Sequence, residues 1–93
     1  MSITQKVVLK HIRKLSDAYQ QLTAQLDFSN DPINNLDALY DELSASLEGP
    51  IQITWENSAE AKGALGKEDY AALLAVFEDA AAERDDLTVI IKP

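Results

Sequence analysis

Two aspartates one helical turn apart, Asp37 and Asp41, are the residues in this chain whose type and spacing could do chemistry. Both lie in the stretch from Asn34 to Glu48, which reads as one helix. At roughly 100° per residue, Leu36, Leu39, Leu43 and Leu47 form one narrow stripe. Asp37, Asp41, Ser44 and Glu48 form a second, roughly a third of a turn away. The leucines are what a helix needs to dock on a core. The acids are not, and like charges at i,i+4 cost an isolated helix about 0.2–0.5 kcal/mol. A local choice that opposes stability points to function. Carboxylates fixed on a helix can accept charge-assisted hydrogen bonds from Arg and Lys of a partner, or hold a divalent cation such as Mg²⁺.

The remaining motifs narrow the options. Gly49, Gly63 and Gly66 are isolated, so no phosphate-binding loop is present. The single histidine, His11, sits in a short basic segment (Lys10, His11, Arg13, Lys14) without acidic neighbours, and reads as solvated rather than as part of a catalytic triad. No lysine or histidine adjoins Asp37 and Asp41 in sequence, as a metal nuclease would want. The chain has no cysteine, which removes disulfides and thiolate metal sites. It carries 16 acidic and 8 basic residues, a net charge of -8, which argues against nucleic acid and anionic membranes and favours a basic partner. Trp55, Tyr70 and Phe77 occupy core-like positions. Tyr40 falls between the leucine and acidic stripes, where it can pack at an edge or meet a partner.

The elements that must position the acids follow in order. A strand is expected over about residues 3–9. A helix runs from an N-cap at Ser16 to about Leu26, with Asp17 in its first turn. A loop over residues 27–34, punctuated by Asn, Asp and Pro, leads to the acidic helix, capped by Asn34 or Asn35 and stopped by Gly49-Pro50. Ile51–Trp55 is a second strand. A third helix is capped by Asn57 or Ser58 and ends near Leu65. A fourth runs from Lys67 or Glu68 to about Arg84, with Tyr70, Leu73, Leu74, Phe77, Ala80 and Ala81 on one face. Leu87–Ile91 is the last strand, apolar enough for the buried centre or flank of a parallel sheet. The order β-α-α-β-α-α-β, with two helices between successive strands, gives an α/β fold with a three-stranded parallel sheet. Ninety-three residues without repeat or linker fit one domain, residues 1–93. The start, Met1 to Lys6, lacks the apolar run of a signal peptide, and no stretch is long enough to span a membrane, so the expected location is the cytoplasm.

The run Asn35-Leu36-Asp37-Ala38-Leu39-Tyr40-Asp41 resembles the second-helix signature of the barstar family, intracellular inhibitors of the ribonuclease barnase. Ser16-Asp17, the Pro50 to Trp55 strand, Val76-Phe77 and Leu87–Ile91 extend the resemblance over nearly the whole chain. It implies a fold of three parallel strands and four helices. It also implies a mechanism in which the second helix and the loop before it plug a ribonuclease active site. In that mechanism Asp41 takes the place of an RNA phosphate, Asn35 and Asp37 support the contact, Tyr40 packs nearby and Asp79 adds a second charge contact. The implied protein is a cytoplasmic, monomeric inhibitor of an extracellular or toxin ribonuclease. It forms a 1:1 complex, with no cofactor and no catalysis of its own. The other reading is an acidic interaction or immunity module for a basic partner that is not a ribonuclease. The chain departs from the family at Asp31, Pro32 and Ile33, where the family loop carries tyrosines and a glycine. It departs again at Ser44, Ala45 and Ser46, where a bulky aromatic and a glycine are usual. The charged centre is kept while its surroundings change, which implies altered partner specificity.

Overall fold

The computed structural model describes residues 4–26, 33–46 and 49–93. In chain order these form β1 (Gln5–Leu9), α1 (Leu15–Gln25), α2 (Leu36–Asp41), β2 (Ile51–Trp55), α3 (Ser58–Leu65), α4 (Lys67–Glu83) and β3 (Leu87–Ile91). The three strands are parallel in the order β1-β2-β3, with β2 in the centre. The register runs in straight rows, as in Val7–Ile53–Val89 and Leu9–Trp55–Ile91. The expected α/β fold and element order are therefore observed.

One face of the sheet carries the core. Side chains alternate along a strand, and Val7, Leu9, Ile51, Ile53, Trp55 and Leu87 all point to the buried side. They meet Ala18, Leu22, Leu39, Leu43, Leu73, Phe77 and Ala80 from the helices. Trp55 lies at its middle, fully buried, with its ring 5.4 Å from Tyr70 and 5.8 Å edge-on from Phe77. The other face is more open: Lys6, Thr88 and Ile90 are exposed, while Thr54 of the central strand is buried. The apolar run of β3 is therefore the flank of the sheet and not its centre. Ile90, on the open face, and Ile91, at the end of this edge strand, both stay 36% exposed.

The two sheet edges differ. The outer edge of β1 is closed by glutamines at i,i+4 on α1. The Val8 N–H donates to Gln25 Oε1 at 3.0 Å and Gln25 Nε2 donates to the Val8 carbonyl at 2.9 Å. Gln21 makes the same pair of bonds with Lys10, at 3.0 and 2.8 Å. Each side-chain amide substitutes for a neighbouring strand and removes an edge open to mispairing.

The start of α1 departs from expectation. Ser16 is not the cap of α1: Lys14 occupies that position and makes no side-chain cap bond. Asp17 instead reaches back, its carboxylate accepting the Arg13 N–H at 3.1 Å, a variant of the capping box. The segment before it is not a plain solvated loop either. His11 adopts φ +53°, which turns Ile12 into the core at 0% exposure. The His11 and Arg13 side chains lie 3.5 and 3.6 Å from Glu60 of α3. Between α3 and α4 a single residue, Gly66, joins the helices at φ +89°, a conformation glycine adopts without strain.

The acidic helix is not regular to Glu48. After Asp41 it continues as a π-helical turn, Glu42–Ser46, which shifts the side-chain phase away from 100° per residue. Leu39 and Leu43 are buried and Leu36 partly so, as the leucine stripe requires. Leu47 and Glu48 lie outside the described residues, as does the loop over residues 27–32.

Candidate functional site

The acidic helix begins at a true cap. Asn35 is extended (φ -155°, ψ 164°), and its side-chain oxygen accepts the Ala38 N–H at 2.7 Å. Of the two candidate caps Asn35 is the one used, and its amide nitrogen donates to Asn34 Oδ1 at 3.0 Å. Asp37 follows in the first turn, exposed and favoured by the helix dipole. Asp41, one turn on, is exposed as well. Glu42, next in sequence, turns the other way and is buried at 2% exposure. The helix thus sorts its acids: two face outward and one inward.

Tyr40 ties this helix to α4. It is half-buried and packs against the core, so its edge position provides packing while leaving part of the ring accessible. Its phenol is held above the usual tyrosine range, first by desolvation and then by the charges of Glu83, Asp79 and Asp41. Asp41 of α2 and Asp79 and Glu83 of α4 thus all raise it through their charge, and the hydroxyl stays protonated near neutral pH. Asp79 and Glu83 are exposed on α4 four residues apart, repeating the spacing of Asp37 and Asp41. Glu83 is not among the site residues expected from the sequence, although its i,i+4 spacing from Asp79 is the same signal that marks Asp37 and Asp41. Among the described residues no ion pair involves Asp37, Asp41, Asp79 or Glu83. The result is a set of exposed carboxylates on two packed helices, none ion-paired among the described residues. Among the described residues no group of three or more His, Cys, Asp or Glu is arranged to hold a metal ion.

The other expected residues are placed as follows. Ser44 is half-buried in the π-helical turn. Ala45 and Ser46 belong to that turn by their backbone, and their side chains lie outside the described residues, as does Asp31. Ile33 is 7% exposed and part of the core.

The last turn of this helix is held from behind. Arg84, just past α4, has a side chain only 14% exposed. Its Nε and Nη2 donate to the two carboxylate oxygens of Asp86 at 2.6 and 3.0 Å, and its Nη1 donates to the Leu43 carbonyl at 2.9 Å. This fork holds the Asp86 carboxyl below its ordinary range and raises the guanidinium further, both through the Arg84–Asp86 hydrogen bonds. Gly49 leaves the space: a Cβ there would overlap the Asp86 carboxylate and crowd Arg84 Nη2.

The family model described as Barstar (barnase inhibitor) matches residues 4–92. The chain belongs to the barstar family. Membership covers every element of the fold, from β1 to β3, and assigns a ribonuclease-inhibitor role in general, with a ribonuclease as partner. Barstar-family proteins act as inhibitors rather than enzymes. The exposed carboxylates of α2 and α4 are suited to such a partner, since a ribonuclease binds phosphate with cationic side chains. No helix among the described residues is long and apolar enough to cross a membrane.

Proposed function

We propose that this barstar-family protein closes the active site of one cognate ribonuclease in a 1:1 complex, as a monomer, in the cytoplasm. The closing surface is the outer face of α2 (Asn35, Asp37, Tyr40, Asp41 and Ser44), flanked by Asp79 and Glu83 of α4. Asp31, Ala45 and Ser46 border it in sequence and belong to the same proposed surface. Asp41 takes the position of a substrate phosphate, Asp37 and Asn35 buttress it, and Asp79 and Glu83 meet further cations at the rim. The cognate enzyme is an extracellular or toxin ribonuclease against which the cell producing it needs protection.

The observation that carries this reading is the packing of α2 on α4 with Asp37, Asp41, Asp79 and Glu83 exposed and none of them in an ion pair among the described residues. Such an arrangement is repulsive within the free protein. It becomes favourable when arginines and lysines dock against it.

A protein of net charge -8 approaching a basic enzyme should be steered. The association rate with the ribonuclease, measured by stopped flow, is expected to fall at least about tenfold between low and high salt, while the dissociation rate changes little. An association rate independent of salt would remove electrostatic steering from the account. Barnase and barstar are themselves the reference case for this effect.

A further inference from the structure

We infer that Arg84 is a positioning residue for the acidic helix: by gripping the Leu43 carbonyl from a fixed base at Asp86, it sets the orientation in which α2 presents Asp41. The significance for ribonuclease binding rests on the function proposed above; the mechanical claim stands on the free protein.

Leu43 lies in the π-helical turn that follows α2, and its carbonyl accepts from Arg84 Nη1. A π-helical turn is a looser geometry than an α-helix and needs outside support to keep one phase. Arg84 supplies it with a charge-assisted bond from a planar fork whose other two contacts are fixed on Asp86. Asp86 itself is anchored to the sheet, because its carbonyl accepts the Ile51 N–H at 2.8 Å as β2 begins. The chain of contacts thus runs from the sheet, through Asp86 and Arg84, to the turn that directly follows Asp41. Gly49 completes the device by leaving room for both side chains. Glycine at 49, arginine at 84 and aspartate at 86 therefore form one unit, although 35 residues separate the first from the second. A helix held only by its leucines could still rotate about its axis. The clamp fixes that rotation and with it the direction of the outer acids.

The test is amide hydrogen exchange on the free, full-length protein, comparing the parent with Arg84→Gln and Arg84→Lys. In Arg84→Gln, amides over residues 39–46 are expected to exchange about tenfold faster or more, while the central-strand amides of residues 51–55 keep their parental rates. Arg84→Lys keeps one donor for the Leu43 carbonyl but loses the fork, and its rates should fall between the two. Unchanged exchange over 39–46 overturns the inference. So does equal acceleration over 39–46 and 51–55, because Arg84 would then act through global stability alone. Neither result depends on a partner. If Asp41→Ala inhibits as well as the parent, the ribonuclease reading fails while the exchange result still decides the clamp.

Discussion

Replacing Asp41 with alanine is expected to lower affinity for the ribonuclease by at least about 2 kcal/mol, some thirtyfold or more, without lowering the stability of the free protein. The two halves of this prediction have separate origins. Affinity is expected to fall because Asp41 belongs to the proposed binding face, where a carboxylate fixed on a helix would meet the partner's cations with its hydrogen bonds already oriented. Removing it also leaves those cations buried against an apolar methyl group, which adds to the loss. Stability holds because Asp41 is exposed and makes no ion pair among the described residues. Relief of its repulsion with Asp37 is worth a few tenths of a kcal/mol in the opposite direction. Inhibition titrations together with urea denaturation check both halves. A variant that loses stability and inhibition together would mark Asp41 as a structural residue. The barnase–barstar complex supplies the standard example of a dominant interface aspartate, and the expected magnitude follows that precedent.

The second large effect is on folding. Trp55→Ala should cost about 3–5 kcal/mol of stability, measured by urea or thermal denaturation. A protein of this size has only about 5–14 kcal/mol in total, so the variant is expected to melt some 15–25 °C lower. Trp55 is fully buried on the central strand and touches both Tyr70 and Phe77, so truncation empties the middle of the core. Trp55→Phe should cost less than half as much. It retains an aromatic ring against Phe77 and removes an indole N–H that has no hydrogen-bond partner among the described residues. A loss below about 1.5 kcal/mol for Trp55→Ala would mean that the core does not close around this residue.

Much of this architecture was legible in the sequence because local and global signals agreed. Ile51–Trp55 and Leu87–Ile91 are apolar runs bounded by turn residues, and both strands begin and end where that pattern does. Gly66 separated α3 from α4 at the expected residue. Ser16 misled because cap preference is only a local tendency. The packing that buries Ala18, Tyr19 and Leu22 starts the helix two residues earlier than a Ser16 N-cap allows, and Asp17 supplies the return bond. Ile12 was hidden because its burial depends on a left-handed turn at His11, which the weak preference of histidine for that conformation does not by itself reveal.

The site divided along the same line. Asp37 and Asp41 stood out through their spacing on one helix. Glu83 lies 42 residues beyond Asp41, and only the packing of α2 on α4 brings it to Tyr40. The π-helical turn left no trace in the composition of Glu42–Ser46, yet it decides which way Glu42 and Ser44 face. Arg84 and Gly49 looked like ordinary helix-end residues, and their relation exists only in three dimensions.

The central claim is that the acidic face occupies the site where the ribonuclease binds RNA phosphate. The most direct measurement is the inhibition of a barnase-type ribonuclease by this protein at several RNA substrate concentrations. If the account is right, inhibition is competitive: the apparent inhibition constant rises linearly with substrate, and a non-cleavable oligonucleotide displaces the inhibitor. An inhibition constant independent of substrate, with oligonucleotide and inhibitor bound together, would contradict it.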